Sequence, residues 1–241
     1  MEKKNETRQV YIVISQTGTV LSRILKRITG AEYNHASISL SGDLRTMYSF
    51  GRMNPYNPFW GGFVMESPHS GTFRRFSETK AVVLVVDIRE EQYRALSRTL
   101  EEMWARRRLY RYNFIGIVLA YFQIKRKRAN CFYCSEFVGE LLLQGGVDGM
   151  EQLASTIVQP IHFLSLPHTQ VYSGKLREYV YRGDAMGTSI SRDYKLNTGG
   201  CDRYEKNNRL PHLPDAVLRM HASEHGSEYG ARSAVGNRNG I

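Results

Sequence analysis

At 241 residues the chain is long enough for one large domain, or for a domain of about 180 residues with an appendage. The 41% hydrophobic content fits a soluble globular protein, and the net charge of +10 suits an acidic partner without by itself arguing for nucleic-acid binding. Three cysteines are too few, and of the wrong parity, for a secreted disulfide framework, so a reducing compartment is expected.

The charged N-terminus, Met1 to Glu6, precedes an apolar run, Val10 to Ile14, that is too short for a signal-peptide core. The longest apolar run, Phe114 to Phe122, falls far below the roughly 20 residues needed to span a bilayer. A cytoplasmic protein without a membrane span is expected. Gln9 to Ser15 is β-rich and predicts a buried strand. A helix over Val20 to Ile28, capped by Thr19 and stopped by Gly30, follows from its apolar spacing. From His35 to Leu40 the pattern alternates, with Ala36, Ile38 and Leu40 on one side and His35, Ser37 and Ser39 on a polar side. Ser41-Gly42-Asp43 signals a hairpin turn into a strand over Thr46 to Phe50. A turn centred on Gly42 would set His35 beside Ser49.

Gly51 to Gly62 reads as a long loop of Pro, Asn and aromatics, of the kind that forms a lid or binding rim. A strand over Phe63 to Ser67 carries Glu66. Ala81 to Ile88 is a continuous apolar strand, covered on both faces. Helices are expected from about Glu90 to Arg107 and from Phe114 to Ile124, the second closed by the cations Lys125 to Arg128. From Ser135 the chain again reads as an amphipathic helix, with Phe137, Val138, Leu141 and Leu142 on one face and Gly145-Gly146 at its end. Val171 to Val180 predicts one more strand or strand pair. Beyond Arg182 neither period is sustained, so residues 183–241 read as a disordered tail with a short helix near 215–220.

Cys134 falls at the start of the helix that follows it. Unpaired N–H groups and the positive end of the helix dipole favour a thiolate there, and such a thiol needs only a base to become a nucleophile. Of the seven histidines, His212, His221 and His225 lie in the tail, His162 and His168 flank an apolar turn, and His69 sits in a polar loop. His35 begins a strand, which makes it the candidate base. The bland alternative is a buried packing cysteine and a structural histidine.

Two segments shift that balance: Asn34-His35-Ala36-Ser37-Ile38-Ser39-Leu40 and Phe132-Tyr133-Cys134-Ser135-Glu136-Phe137-Val138. Together, and in the order histidine before cysteine, they resemble the permuted papain-fold branch of the NlpC/P60 superfamily, the group that includes the YiiX-like hydrolases. Val171 to Leu176 is similar to the closing segment of its bacterial members. The resemblance spans about Gln9 to Arg182. It implies an α+β fold with a central antiparallel sheet on helices (residues 1–182) and thiol-dependent hydrolysis or transfer at an amide, ester or thioester. Carried onto this chain, it makes Cys134 the nucleophile and His35 the general base. Glu66 is the carboxylate best placed to orient His35, with Ser49 as the alternative.

Cys131-Phe132-Tyr133-Cys134 is formally a C-x-x-C pair, but the expected βαβ context is missing upstream, and Cys131 reads as a packing residue. No zinc spacing and no phosphate loop occur, so neither metal nor cofactor is expected. The expected partner is an acyl-containing substrate: a peptide, amide or ester. The basic runs Arg106 to Arg108 and Lys125 to Arg128 bracket an apolar helix and read first as solvated helix ends. A membrane surface is the secondary reading, and with it an acyltransferase or lipid hydrolase. A binding module that has lost catalysis is the third.

Overall fold

The computed structural model describes residues 7–18, 31–54, 60–122, 124 and 128–183. The chain divides into two units, Met1–Met186 and Gly187–Ile241, and the described residues all belong to the first. The helix expected over 20–28, most of the expected 183–241 tail and its short helix near 215–220 lie outside them.

The protein is a mixed α+β structure built on a six-stranded antiparallel sheet. The strands are β1 (Thr7–Gln16), β2 (His35–Ser39), β3 (Met47–Arg52), β4 (Gly61–Glu66), β5 (Lys80–Arg89) and β8 (Thr169–Lys175), in the order β4-β3-β2-β1-β5-β8. Among the described residues three longer helices and one short one accompany it: α1 (Gly71–Arg75), α2 (Glu90–Ala105), α3 (Phe114–Tyr121) and α4 (Cys134–Gln144). A separate parallel pair joins β6 (Arg111–Tyr112) to β7 (Cys131–Phe132).

The β-branched runs of β1 and β5 pair along their whole lengths, from Thr7 opposite Arg89 to Gln16 opposite Lys80. Both faces of this centre are covered. Val10, Ile12 and Ile14 of β1 join Val82, Leu84 and Val86 of β5 in the larger core, against Phe137, Val138, Leu141 and Leu142 of α4 and Leu96 and Leu100 of α2. Tyr11, Val13, Val83 and Val85 face the other way, into a smaller core closed by Leu44, Met47, Phe73 of α1 and Leu176. Each such aliphatic side chain contributes about 1.5–3 kcal/mol on burial, so the sheet is anchored from both sides.

The second core changes the reading of β2. The side bearing His35, Ser37 and Ser39 was expected to be the polar one, and all five residues of the strand are buried. The hydroxyls of Ser37 and Ser39 tolerate this burial because each finds an acceptor. Ser39 donates to the Ser41 carbonyl at 2.8 Å and Ser37 to a carboxylate described below.

The hairpin register also differs from expectation. Ile38 lies opposite Tyr48, so the antiparallel pairing sets Ser37 across from Ser49 and His35 across from Gly51. The connection is not a tight turn on Gly42. It runs through residues 40–46, with Leu44 in the left-handed region at φ 53° and donating to the Ser41 carbonyl.

The expected 51–62 loop is shorter at both ends, because Gly51 pairs with Gly62 and Arg52 with Gly61. Residues 55–59 lie outside the described residues. Short elements without a sustained period, α1 and the β6–β7 pair, were not visible in the pattern. The segment expected over 171–180 is one strand, β8, followed by a short 3-10 turn at Leu176–Glu178.

Candidate active site

Cys134 is the first residue of α4, one residue earlier than the apolar spacing suggested. Its helix is fixed by the face that carries Phe137, Val138, Leu141 and Leu142 into the larger core. Tyr133 is extended before it (φ −99°, ψ 168°), and its carbonyl accepts from the Phe137 N–H at 3.0 Å. Glu136 reaches back to accept from the Tyr133 N–H at 3.3 Å. The N–H of Cys134 belongs to the first turn, where no partner exists within the helix.

The thiol is buried, 2% exposed, and its sulfur lies 3.8 Å from the carbonyl oxygen of Asn34, the residue before β2. Asn34 is held in turn. Its N–H donates to the Ser15 carbonyl, and its Oδ1 accepts from the Thr17 N–H and hydroxyl at 3.3 and 3.4 Å.

His35, next in the chain, bonds Glu66 Oε2 through Nε2 at 2.9 Å and lies within electrostatic reach of the Cys134 sulfur. The side chains of His35 and Glu66 are 11% and 10% exposed, so the pair is nearly closed to solvent. Ser37 donates to the same Glu66 oxygen at 2.9 Å and lies 3.3 Å from His35 Nε2. Phe73 of α1 meets the imidazole edge-on at 5.9 Å between ring centroids.

Burial alone would push the imidazole toward neutrality. The Glu66 carboxylate and the Cys134 sulfur act in the opposite sense and prevail, so the pKa of His35 is pushed up to about 10. A raised proton affinity is what an imidazole needs to draw a proton from a thiol.

His35 and Glu66 are therefore in direct contact, with Cys134 close enough to act on the imidazole's charge. Ser49 is not part of the group: its hydroxyl donates to the Ala36 carbonyl at 2.7 Å. The two-residue shift in register put Gly51 where Ser49 was expected. His162 and His168 are engaged locally, the first accepting from the Gln159 N–H and the second bonded to the Leu166 carbonyl. His69 is exposed. Cys131 and Cys134 are both free thiols. Cys131 sits on β7 opposite Arg111. Among the described residues no group of histidine, cysteine and acidic side chains is arranged to hold a metal ion.

Tyr112 was missed in the sequence. Its partner across the β6–β7 pair is Phe132, two residues before Cys134, and its ring packs against Gly61. Burial first, then the negative charges of Cys134 and Glu66, hold its phenol well above the usual tyrosine range, against the opposing pull of Arg52. It therefore keeps its proton and can donate it in a hydrogen bond. Only the pairing of two dipeptides far apart in the chain brings it here, and no periodicity announces that. Ser37 was legible, since it shares His35's side of the strand at i+2.

No family model, curated protein or solved structure matches the chain.

Proposed function

We propose that the chain is a thiol-dependent hydrolase, an amidase or peptidase, of the permuted papain type that its histidine and cysteine segments resemble. One observation carries the reading: a thiol at a helix N-terminus lies within electrostatic reach of an imidazole that is ion-paired to a nearly buried carboxylate.

In the proposed reaction His35 takes the Cys134 proton, and the thiolate attacks the acyl carbon. The Cys134 N–H and the Tyr112 hydroxyl hold the oxyanion. The C–N bond then breaks, and His35 gives its proton to the departing amine. Water attacks the resulting thioester, losing a proton to His35. The acid leaves as the sulfur recovers its proton. Glu66 stabilises the imidazolium throughout, and Ser37 fixes the carboxylate.

Labelling of the full chain with a cysteine-directed electrophile tests this. Cys134→Ala should abolish labelling at neutral pH while Cys131→Ala leaves it intact. Loss of labelling in neither variant rejects the nucleophile and leaves the binding-module reading.

A second reading, transfer or hydrolysis of a lipid acyl group at the same site, is favoured by one surface. Ile115 and Val118 of α3, with Phe122, Ile124 and Leu109 nearby in sequence, are each more than half exposed, and the exposed cations Arg107, Arg108, Arg111 and Arg128 lie in the flanking segments. Apolar side chains flanked by cations suit an anionic membrane interface. Sedimentation with anionic vesicles at low and high salt decides it: salt-sensitive binding supports the lipid substrate, and no binding removes it. Among the described residues no helix is long and apolar enough to cross a membrane.

A further inference from the structure

The geometry points to Arg52 as an anion-reading residue beside Cys134, one that takes a carboxylate carried by the substrate close to the acyl group. This rests on the thiol-dependent reading of Cys134 and His35 and narrows its substrate to acyl compounds with a free carboxylate.

Arg52 is the last residue of β3. Side chains alternate along a strand, so it shares its face with Phe50. Phe50 packs on Phe132 and Phe137, at 5.2 and 5.3 Å between ring centroids, which identifies that face as the one carrying α4. Two residues on from Phe50, Arg52 lies within electrostatic reach of Tyr112, whose phenol also feels the charge of Cys134. Its cross-strand partner is Gly61, whose bare Cα lies against the Tyr112 ring: a Cβ there would come within 2.8 Å of the Tyr112 Cβ. Its chain neighbour Gly51 borders the catalytic pair on the other face, where a Cβ would be 3.2 Å from Glu66 Oε1 and 3.7 Å from His35 Cε1.

The guanidinium is only partly exposed. Its Nη2 is shut off from solvent and has no hydrogen-bond partner. A shielded cationic donor left without an acceptor is costly, and native proteins rarely tolerate one that nothing ever fills. Burial lowers the hold of Arg52 on its proton, Tyr112 restores some of it, and the neighbouring Arg75 lowers it again. An anion relieves both the burial and the repulsion. The planar fork of a guanidinium matches a carboxylate, which it takes through two parallel hydrogen bonds.

Two alkylating agents of nearly equal size separate this from the reading it rests on. Iodoacetate carries a carboxylate and iodoacetamide does not. Their rates at Cys134, followed by peptide mass spectrometry on the full chain and normalised to a free thiol, give a ratio. Arg52→Gln should lower the iodoacetate-to-iodoacetamide ratio about tenfold or more, the scale of one hydrogen bond to a charged group. The iodoacetamide rate itself should hold. Arg75→Gln should keep most of the wild-type ratio.

An unchanged ratio in Arg52→Gln, or an equal fall in Arg75→Gln, overturns the assignment while leaving the nucleophile intact. A Cys134 silent to both reagents overturns the thiol reading instead. Protection of the wild-type chain needs no variant. Succinate should slow alkylation by iodoacetamide and succinamide should not, and equal protection by the two counts against Arg52.

Discussion

Glu66 Oε2 lies 2.9 Å from His35 Nε2 although their strands, β4 and β2, are not neighbours. β3 runs between them, and the carboxylate reaches across it. What lets it pass is Gly51, the β3 residue opposite His35 in the register set by Ile38 and Tyr48. The ion pair therefore depends on a residue with no side chain.

Gly51→Ala tests that dependence. The new methyl would stand 3.2 Å from Glu66 Oε1 and 3.3 Å from Val64 Cγ2, tighter than most contacts of its kind. The carboxylate can yield by turning away, so the fold should survive with a loss of about 1–3 kcal/mol, as for a crowded core. Urea unfolding measures that loss. Labelling of Cys134 should fall well beyond what the stability change explains.

Glu66→Gln keeps the shape and removes the charge. His35 should lose its elevated proton affinity, and turnover or labelling at neutral pH should drop about a hundredfold, within the range of acid–base assistance. The alkaline limb of the labelling profile should move to lower pH with it. A profile unchanged in shape would show that Glu66 is a structural partner only.

Stability should depend on pH through the same imidazole. Its ordinary pKa is 6.5 and its folded value about 10, so the folded state holds the proton more tightly than the unfolded chain does. The stabilisation is fully present below about 6.5 and fades as pH rises, until it is lost above about 10. Denaturation of wild type and His35→Gln, repeated across this window, should give curves that converge at the alkaline end.

Phe137→Ala addresses the seat of the cysteine helix. Phe137 is 2% exposed and meets Phe50 and Phe63, each at 5.3 Å between ring centroids. Emptying that volume should cost about 3–5 kcal/mol in chemical denaturation, and Phe137→Leu distinctly less.

Much of this architecture could be read in advance where a period was sustained. The long runs of β1 and β5 and the apolar faces of α2 and α4 repeat often enough to declare both their type and their buried side. The thiol and the imidazole were legible for the same reason, one at a helix start and one at a strand start. What failed was most of what distant pairing fixes, although the contact of Glu66 with His35, 31 residues apart, was anticipated. The register of β2 on β3 hinged on a connection whose left-handed residue is Leu44, a residue type that gives no warning of a positive φ. The polar side of β2 gave no sign of its burial, since serines seldom line a core, and here Ser37 lies opposite Val13 of the smaller core. Tyr112 belongs to neither kind of period, and only the paired backbone brings it within electrostatic reach of the sulfur.

The pairing of Tyr112 with Phe132 has a practical outcome. A parallel pair cannot be joined by a tight turn, so the chain must leave after residue 112, travel, and come back at residue 131. Departure and return are stapled side by side, with the Asn113 N–H bonded to the Phe132 carbonyl and the Arg111 N–H to that of Asn130. The foot of the excursion is thus held by hydrogen bonds of its own. A variant that removes one of these donors, such as Asn113→Pro, would loosen the segment leading into Cys134 without altering the thiol itself.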